Sequence, residues 1–323
     1  MGNNACGSSP EIIDGIFLVG QAGGIIPDIT LDRVVSNYLS LNSSFALNHH
    51  YGTIQERLSK DQLTALDSNL TSIFSKRTKV SYGGVGVVAL AMSLLLDTLV
   101  DGVLGQMDGE LMDRYQRIFG PDNTSEISSI TREYLRLVPS MVNNSDMMAE
   151  ITDVYDQKLK HALIKLYESM TIEHRMSTAA LKQWINGAAI HLHIRIHGIR
   201  LLSVPRGSAE SLRLSYRTGL GRLVQLYASY IRRNVKERGP TQDPPFKAGF
   251  LITEPNRKVR HRVSHSACQT QGIISAIVSR ILAVQNIRAT EMFFEEADFM
   301  YFMYHKTELD CTPLLDTNIT TGS

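Results

Sequence analysis

The chain has 323 residues, of which 43% are hydrophobic and 20% are charged. This balance is typical of a globular protein with a buried core and excludes a wholly disordered chain. The formal net charge of +1 gives no overall attraction to nucleic acid, so an electrostatic partner must be met by a local patch. With one tryptophan and no recognisable RNA- or DNA-binding motif, the sequence predicts no nucleic-acid partner.

The amino terminus fits a pattern for fatty acylation. The first six residues, MGNNAC, place Gly2 after the initiator methionine, with an uncharged neighbour and a small residue at position 6. The usual pattern has Ser or Thr at that position, whereas Cys6 adds a thiol. One myristoyl chain anchors a protein only marginally, and palmitate on Cys6 would add a second anchor. We therefore predict lipidation at Gly2 and Cys6, and attachment to membrane lipids.

Cysteine usage and the lack of a secretory signal favour a reducing compartment. Cys6, Cys268 and Cys311 are odd in number and far apart, which does not fit a disulfide framework. The terminus lacks the basic start and the apolar run of a signal peptide. The sequence therefore predicts a cytoplasmic protein held peripherally on a membrane.

Residues 1–30 are predicted to be an acylated, glycine-rich segment. Positions 11–29 are apolar but contain four glycines and Pro27. Each glycine costs up to about 1 kcal/mol in a helix interior. We therefore expect a short strand or a loop here rather than a helix.

A helical domain is predicted over residues 31–239. Its first clear helix begins near Ser59, where Ser59 and Gln62 form the pattern of a capping box before apolar residues at helical spacing. Proline residues mark the breaks between the helices that follow. Further helices are predicted at 107–119, 125–138, 146–170, 177–203, 208–238 and 270–308, with Pro121, Pro139, Pro205 and Pro240 in the gaps.

The most apolar window of the chain, Val80–Leu96, contains no charged residue. A membrane span needs about 20 apolar residues, and an extension of the window brings in Asp97 and Asp101. A central helix of a bundle explains the same pattern without burying two carboxylates in lipid. Val80–Leu96 and Ile273–Leu282 are therefore predicted to be central helices, and insertion of residues 80–104 into a membrane stays open as an alternative.

Residues 240–310 are predicted to hold a linker, a small β-hairpin and a long C-terminal helix that packs on the same bundle. The linker is the proline-rich stretch 239–245, and the hairpin lies within 246–265. The tail 311–323 is predicted to be disordered. The fold prediction is therefore a mainly α multi-helix bundle with an apolar central helix.

Two groups of histidines raise the question of a metal site. His193 and His197 are four residues apart, but a helical wheel places them opposite the apolar stripe, so we expect them to face solvent. His261, His265 and Cys268 lie within eight residues and are the best candidate metal ligands. No second group of metal ligands has matching spacing. A catalytic Cys268 with His265 as its base would need a third triad residue and an oxyanion donor, and the sequence identifies neither. We therefore predict no cofactor and no catalytic residue, with a metal-dependent enzyme at these three residues as an alternative.

A dense basic run contains Arg257, Lys258, Arg260 and Arg262. Such residues bind anionic lipid headgroups, with about 1 kcal/mol for each basic residue close to the leaflet. The other interpretation is a solvated loop, or ion pairs with the acidic Glu295 and Glu296.

Taken with the acylation pattern, the basic run favours a lipid-anchored, non-enzymatic helical scaffold or regulatory protein at a cytoplasmic membrane face. The first alternative is a membrane-inserting protein of the pore or remodelling type that uses residues 80–104. The second is the metal-dependent enzyme.

Overall fold

A computed structural model describes residues 10–22, 26–40, 42–74, 86–105, 109–120, 125–141, 144–201, 203–205, 207–238, 249–254, 257–260 and 270–295. These residues form mainly α-helices packed as a bundle, as predicted. The helices are α1 (Pro10–Ala22), α2 (Arg33–Tyr38), α3 (Ser43–Arg57), α4 (Lys60–Ile73), α5 (Val87–Leu104), α6 (Gly109–Phe119), α7 (Glu126–Met141), α8 (Ser145–Thr171), α9 (Thr178–Arg200), α10 (Gly207–Asn234), α11 (Thr270–Val284) and α12 (Ile287–Phe293).

A small antiparallel sheet follows α10 directly. Its strands are β1 (Val235–Arg238), β2 (Gly249–Glu254) and β3 (Arg257–Arg260), in the order β1-β2-β3. Val235 pairs with Ile252, and Ile252 pairs on its other side with Val259. Strands β2 and β3 lie within the segment 246–265, and β1 takes the place of the last turn predicted for the helix 208–238.

Two helices form the centre of the bundle. The apolar helix α5 packs against α3, α4, α6, α7 and α9, and its residues 87–94 are all buried. Helix α9 is surrounded by α2, α5, α6, α7, α8 and α10, and nearly all of its side chains are buried. A helix enclosed on all sides has no solvent face, so its polar residues have to be accommodated inside the core.

The prediction of an apolar central helix is confirmed by α5, although residues 80–85 lie outside the described part of the chain. In that part, α5 is the one helix long and apolar enough to cross a membrane, judged by length and composition. Buried positions make up 67% of it. A core helix of a bundle is also expected to be long, apolar and mostly buried, so these features favour neither a membrane nor a protein core.

The expectation of a strand or loop over residues 11–29 is wrong for residues 11–22, which belong to α1. Helix α1 packs on α11, where Phe17 is buried beneath the guanidinium of Arg280, 5.4 Å from the ring centroid. Arg280 also reaches Asp14 at 3.4 Å. These tertiary contacts offset the helix-breaking tendency of the glycines, because propensity is a weak preference compared with packing.

The capping box at the start of α4 is confirmed. The Ser59 hydroxyl accepts a hydrogen bond from the Gln62 backbone N–H, and the Gln62 side chain accepts one from the Ser59 N–H. By contrast, Pro139 does not separate two helices but lies inside α7, two residues before its end.

The predicted C-terminal helix 270–308 is interrupted. Asn286 adopts a left-handed conformation with φ of 48°, which separates α11 from α12. Asparagine tolerates this conformation better than most residues. Residues 296–308 of the predicted helix lie outside the described part of the chain.

Candidate anion-binding site

A cavity of about 960 Å³ opens between α2, α3, α6, α9 and α12. We call it the basic cleft, because five basic side chains line it: Arg33, His49, His50, Arg114 and Arg117. Among its described lining residues there is no Asp or Glu. The volume lies at the upper end of the usual range for small-molecule sites. Basic side chains gathered in a concave surface focus a positive potential on whatever enters it.

Buried side-chain amides hold the chain segment that forms one wall of the cleft. The Ile29 N–H donates to Gln285 Oε1 at 2.8 Å, and Gln285 Nε2 donates to the Pro27 carbonyl at 2.6 Å. The Asp32 N–H donates to Asn186 Oδ1 at 2.9 Å. Asn186 of α9 and Gln285, the residue that follows α11, therefore both hold this segment.

Asp32 connects this fixed segment to the start of α2. Its side chain accepts a hydrogen bond from the Val34 N–H at 2.7 Å and so caps the helix that begins with Arg33. A salt bridge between Lys182 and Asp28 fastens the same segment to α9. Burial would raise the pKa of Asp28, but hydrogen bonds from Lys182 and Thr30 hold it below its usual value.

A buried carboxylate positions two of the basic residues. Asp97 of α5 is 6% exposed, and its Oδ1 lies 2.8 Å from His50 Nε2. Its other oxygen forms a salt bridge with Arg114 of α6. One carboxylate therefore joins α3, α5 and α6 behind the cleft and limits the rotamers available to His50 and Arg114. Burial also raises the pKa of nearby Tyr38.

The floor of the cleft is formed by α9, through Leu192 and His193. The imidazole of His193 stands 5.9 Å from the Phe293 ring, centroid to centroid. Burial lowers the pKa of His193 to about 3, so this imidazole is neutral near pH 7. The positive charge of the cleft therefore comes from its walls, and its floor is polar but uncharged.

The prediction that His193 and His197 face solvent is wrong. They are 6% and 3% exposed, because α9 is enclosed and no helix face is left for solvent. Burial, aided by the charge of Arg200, lowers the pKa of His197 to about 3. Within the described residues, no three His, Cys, Asp or Glu side chains come together as a metal site.

A second polar cluster lies inside the bundle, away from the basic cleft. Asp156 of α8 forms a two-point ion pair with Arg195, whose Nε lies 2.7 Å from Oδ1. His191 bonds through Nδ1 to the Tyr216 hydroxyl and through Nε2 to the Asp156 carbonyl, at 2.9 Å for the second bond. A carbonyl only accepts, so we assign the proton of His191 to Nε2 and the donor role at Nδ1 to Tyr216.

This cluster connects three helices through buried polar side chains. Both ring nitrogens of His191 are engaged, and His191 is fully buried. Burial raises the pKa of Tyr216 far above its usual value. Burial would also raise the pKa of Asp156, but hydrogen bonds from His191 and Arg195 hold it below its usual range. The cluster therefore ties α8, α9 and α10 together.

The sequence-predicted sites fall largely outside the described residues. Gly2 and Cys6 do, as do Arg262 of the basic run and the candidate metal ligands His261, His265 and Cys268.

The other three basic-run residues, Arg257, Lys258 and Arg260, form part of β3. Glu295, offered as an acidic partner of this run, instead pairs with Arg217 at 3.0 Å and with Arg288 at 3.5 Å.

Sequence reasoning did not find the basic cleft. Its basic residues are separated by up to 84 positions, from Arg33 to Arg117, and they reach one cavity only through the packing of α2, α3 and α6. The adjacent pair His49-His50 was the one local signal, and it falls in a helix that was not predicted.

Comparisons of the chain with protein-family models, with curated proteins and with solved structures found no match.

Proposed function

We propose that this helical protein is a non-enzymatic binding or regulatory protein that takes up a small organic anion in the basic cleft. The observation that carries the proposal is the set of three arginines and two histidines around one cavity, with no carboxylate among its described lining residues. Guanidinium groups bind carboxylate and phosphate oxygens through paired hydrogen bonds.

Part of the lining of the cleft is held in place before a ligand arrives, and this supports binding. Gln285 and Asn186 hold the segment before α2, and Asp97 holds His50 and Arg114. In a prearranged site, fewer side chains have to be ordered when the ligand binds, so less binding free energy is lost.

The test is a thermal-shift titration of the full chain with a panel of organic mono- and polyanions. We expect at least one to raise Tm, because a ligand bound only by the folded state stabilises it by mass action, and added salt should weaken the effect. The double variant Arg33→Gln/Arg117→Gln should lose the rise, whereas Arg232→Gln, an exposed residue of α10, should keep it. Failure of every anion to raise the Tm of the wild-type protein would exclude the proposal.

We further propose that the protein is held on a cytoplasmic membrane face by myristate on Gly2 and palmitate on Cys6, as the pattern MGNNAC predicts. In this proposal Arg257, Lys258, Arg260 and Arg262 contact anionic headgroups. In cells fed a clickable myristate, the wild type should be labelled and sediment with membranes, and Gly2→Ala should do neither. Equal labelling and equal distribution of the two proteins would remove the basis of this second proposal.

A further inference from the structure

From the charges, donors and rings of the basic cleft, we infer that its ligand is a phosphate monoester, bound as the dianion, with a ring in its organic part. This inference rests on the proposed binding function and narrows it to one chemical class.

The first argument is the charge of the cleft. Of the three lining arginines, Arg114 is already paired with Asp97. No ion pair among the described residues involves Arg33 or Arg117, and both side chains are exposed. Two guanidinium charges are therefore available to a ligand. A carboxylate or sulfate ester carries one negative charge, whereas a phosphate monoester carries about −1.5 to −2 at pH 7 and matches the pair.

The second argument concerns the hydroxyl groups of the lining. Those of Ser36, Ser40 and Thr53 donate to backbone carbonyls of their own chain segments, at 3.1, 2.7 and 3.0 Å. The hydroxyl of Thr30 donates to Asp28 at 2.6 Å. These four protons are already engaged, so the neutral donors that remain include the side-chain amides of Asn37, Asn42 and Asn286. The charged N–H groups remain as the main donors for a ligand, and these favour an anionic oxygen cluster.

The third argument concerns the aromatic groups. Phe45 of α3 lines the cleft and is 72% exposed, with the His49 ring 6.4 Å away between centroids. On α12, Phe293 lines the same cleft beside His193. Rings that line a polar cavity offer faces to a flat apolar group, and offset contacts between rings are favourable. A ligand with a ring beside its phosphate would contact both the basic and the aromatic side chains of the lining.

The experiment compares three probes by calorimetric titration of the full chain: phenyl phosphate, phenyl sulfate and inorganic phosphate. Phenyl sulfate has nearly the shape of phenyl phosphate but one negative charge fewer. We expect phenyl phosphate to bind about tenfold or more tightly than phenyl sulfate, since only the dianion engages two guanidinium groups fully. It should also bind more tightly than inorganic phosphate, because the latter has no ring.

Matched variants separate the contributions of charge and ring. Arg33→Gln and Arg117→Gln should each remove most of the preference for phosphate over sulfate, whereas Arg232→Gln should preserve it. Phe45→Ser should reduce the preference for phenyl phosphate over inorganic phosphate. Because Arg33, Arg117 and Phe45 are exposed, the variants are expected to keep the Tm of the ligand-free protein.

The outcomes distinguish this inference from the proposed function. If phenyl sulfate or another monoanion binds as tightly as phenyl phosphate, in a manner sensitive to Arg33→Gln, the dianion inference is wrong while anion binding stands. If no anion of any class binds, the proposed function itself fails.

Phosphate monoesters also occur as a lipid headgroup, and sedimentation with vesicles distinguishes that source. Phosphatidylcholine vesicles with phosphatidic acid carry such a headgroup, whereas those with phosphatidylglycerol carry a diester. Retention on the first alone, lost in Arg33→Gln/Arg117→Gln, would assign the phosphate to a lipid headgroup and would overturn the ring part of the inference, because phosphatidic acid has no ring. Binding of phenyl phosphate without vesicle retention would assign it to a soluble compound.

Discussion

His193 and His197 are two residues whose acid–base chemistry is strongly changed by the fold. Each is buried in α9, and burial lowers each pKa to about 3 from an ordinary value near 6.5. The unfolded chain takes up a proton at each of these residues in a pH range where the folded chain does not. The folded state therefore binds fewer protons, and acid favours unfolding.

We predict that these two histidines make the free energy of unfolding fall as the pH drops from about 6.5 toward about 3. Above about pH 6.5 their contribution should not depend on pH. Each contributes a slope of up to about 1.4 kcal/mol per pH unit between those limits. Urea unfolding at several pH values measures the slope. His197→Gln should flatten it, whereas His161→Gln, on the exposed side of α8, should leave it unchanged. Identical slopes in all three proteins would contradict the buried, neutral state of His197.

Gly86 offers a second test at the scale of one residue. Its φ is 74°, and a Cβ built there would stand 3.0 Å from His193 Nδ1. Gly86→Ala should cost about 1–3 kcal/mol of unfolding free energy, through backbone strain and this contact. Gly52→Ala is the control: nothing lies within 4 Å of its Cβ position inside α3, so it should stabilise by about 0.5–1 kcal/mol. In chemical denaturation, the free energy of unfolding should be lower than that of the wild type for Gly86→Ala and higher for Gly52→Ala.

At the scale of helices, the sequence was most informative where a helix has one buried face and clear ends. Helix α8 was predicted at 146–170 and is found at Ser145–Thr171, and the capping box correctly placed the start of α4. The helical wheel failed for α9, because a helix surrounded by others has no polar face to predict. Helix α1 was missed because its glycines lower helix propensity, while the contact of Phe17 with α11 depends on residues more than 250 positions away.

The ion pair between α8 and α9 gives a prediction at this scale. Asp156→Ala should cost about 3–5 kcal/mol, because it leaves the largely buried Arg195 without its carboxylate and removes a partner of His191. Glu126→Gln is the matched control, since its pair with Lys165 between α7 and α8 is exposed and should be worth under about 1 kcal/mol. Equal losses on urea denaturation would mean that burial does not set the strength of these pairs.

For the whole molecule, the fold class and the apolar centre could be predicted from the sequence, but the candidate site could not. The spacing of hydrophobic residues indicates which face of a helix packs on the core. It does not record which helices become neighbours, and the basic cleft exists only where α2, α3, α6 and α12 meet above α9. His50 and Arg114 are linked by Asp97, which in the sequence is one of two charged residues that follow the apolar window.

The packing of α5 also bears on the alternative that residues 80–104 insert into a bilayer. Insertion would separate Asp97 from His50 and Arg114 and would uncover the helices that surround α5. We therefore expect dye-loaded vesicles to stay intact at neutral pH, and any release to increase in acid, where carboxylates take up protons. Asp97→Asn should mimic part of the acid effect. Rapid release by the wild-type protein at neutral pH would instead favour the pore-type alternative.

The hydrogen bonds of Gln285 to Pro27 and Ile29 join positions 256 and more residues apart. This wall of the basic cleft therefore cannot be fastened until translation has passed Gln285. A translation product that stops before α11 could assemble much of the inner bundle and still lack the pocket. In the proposed function, ligand binding would then require that synthesis has passed Gln285.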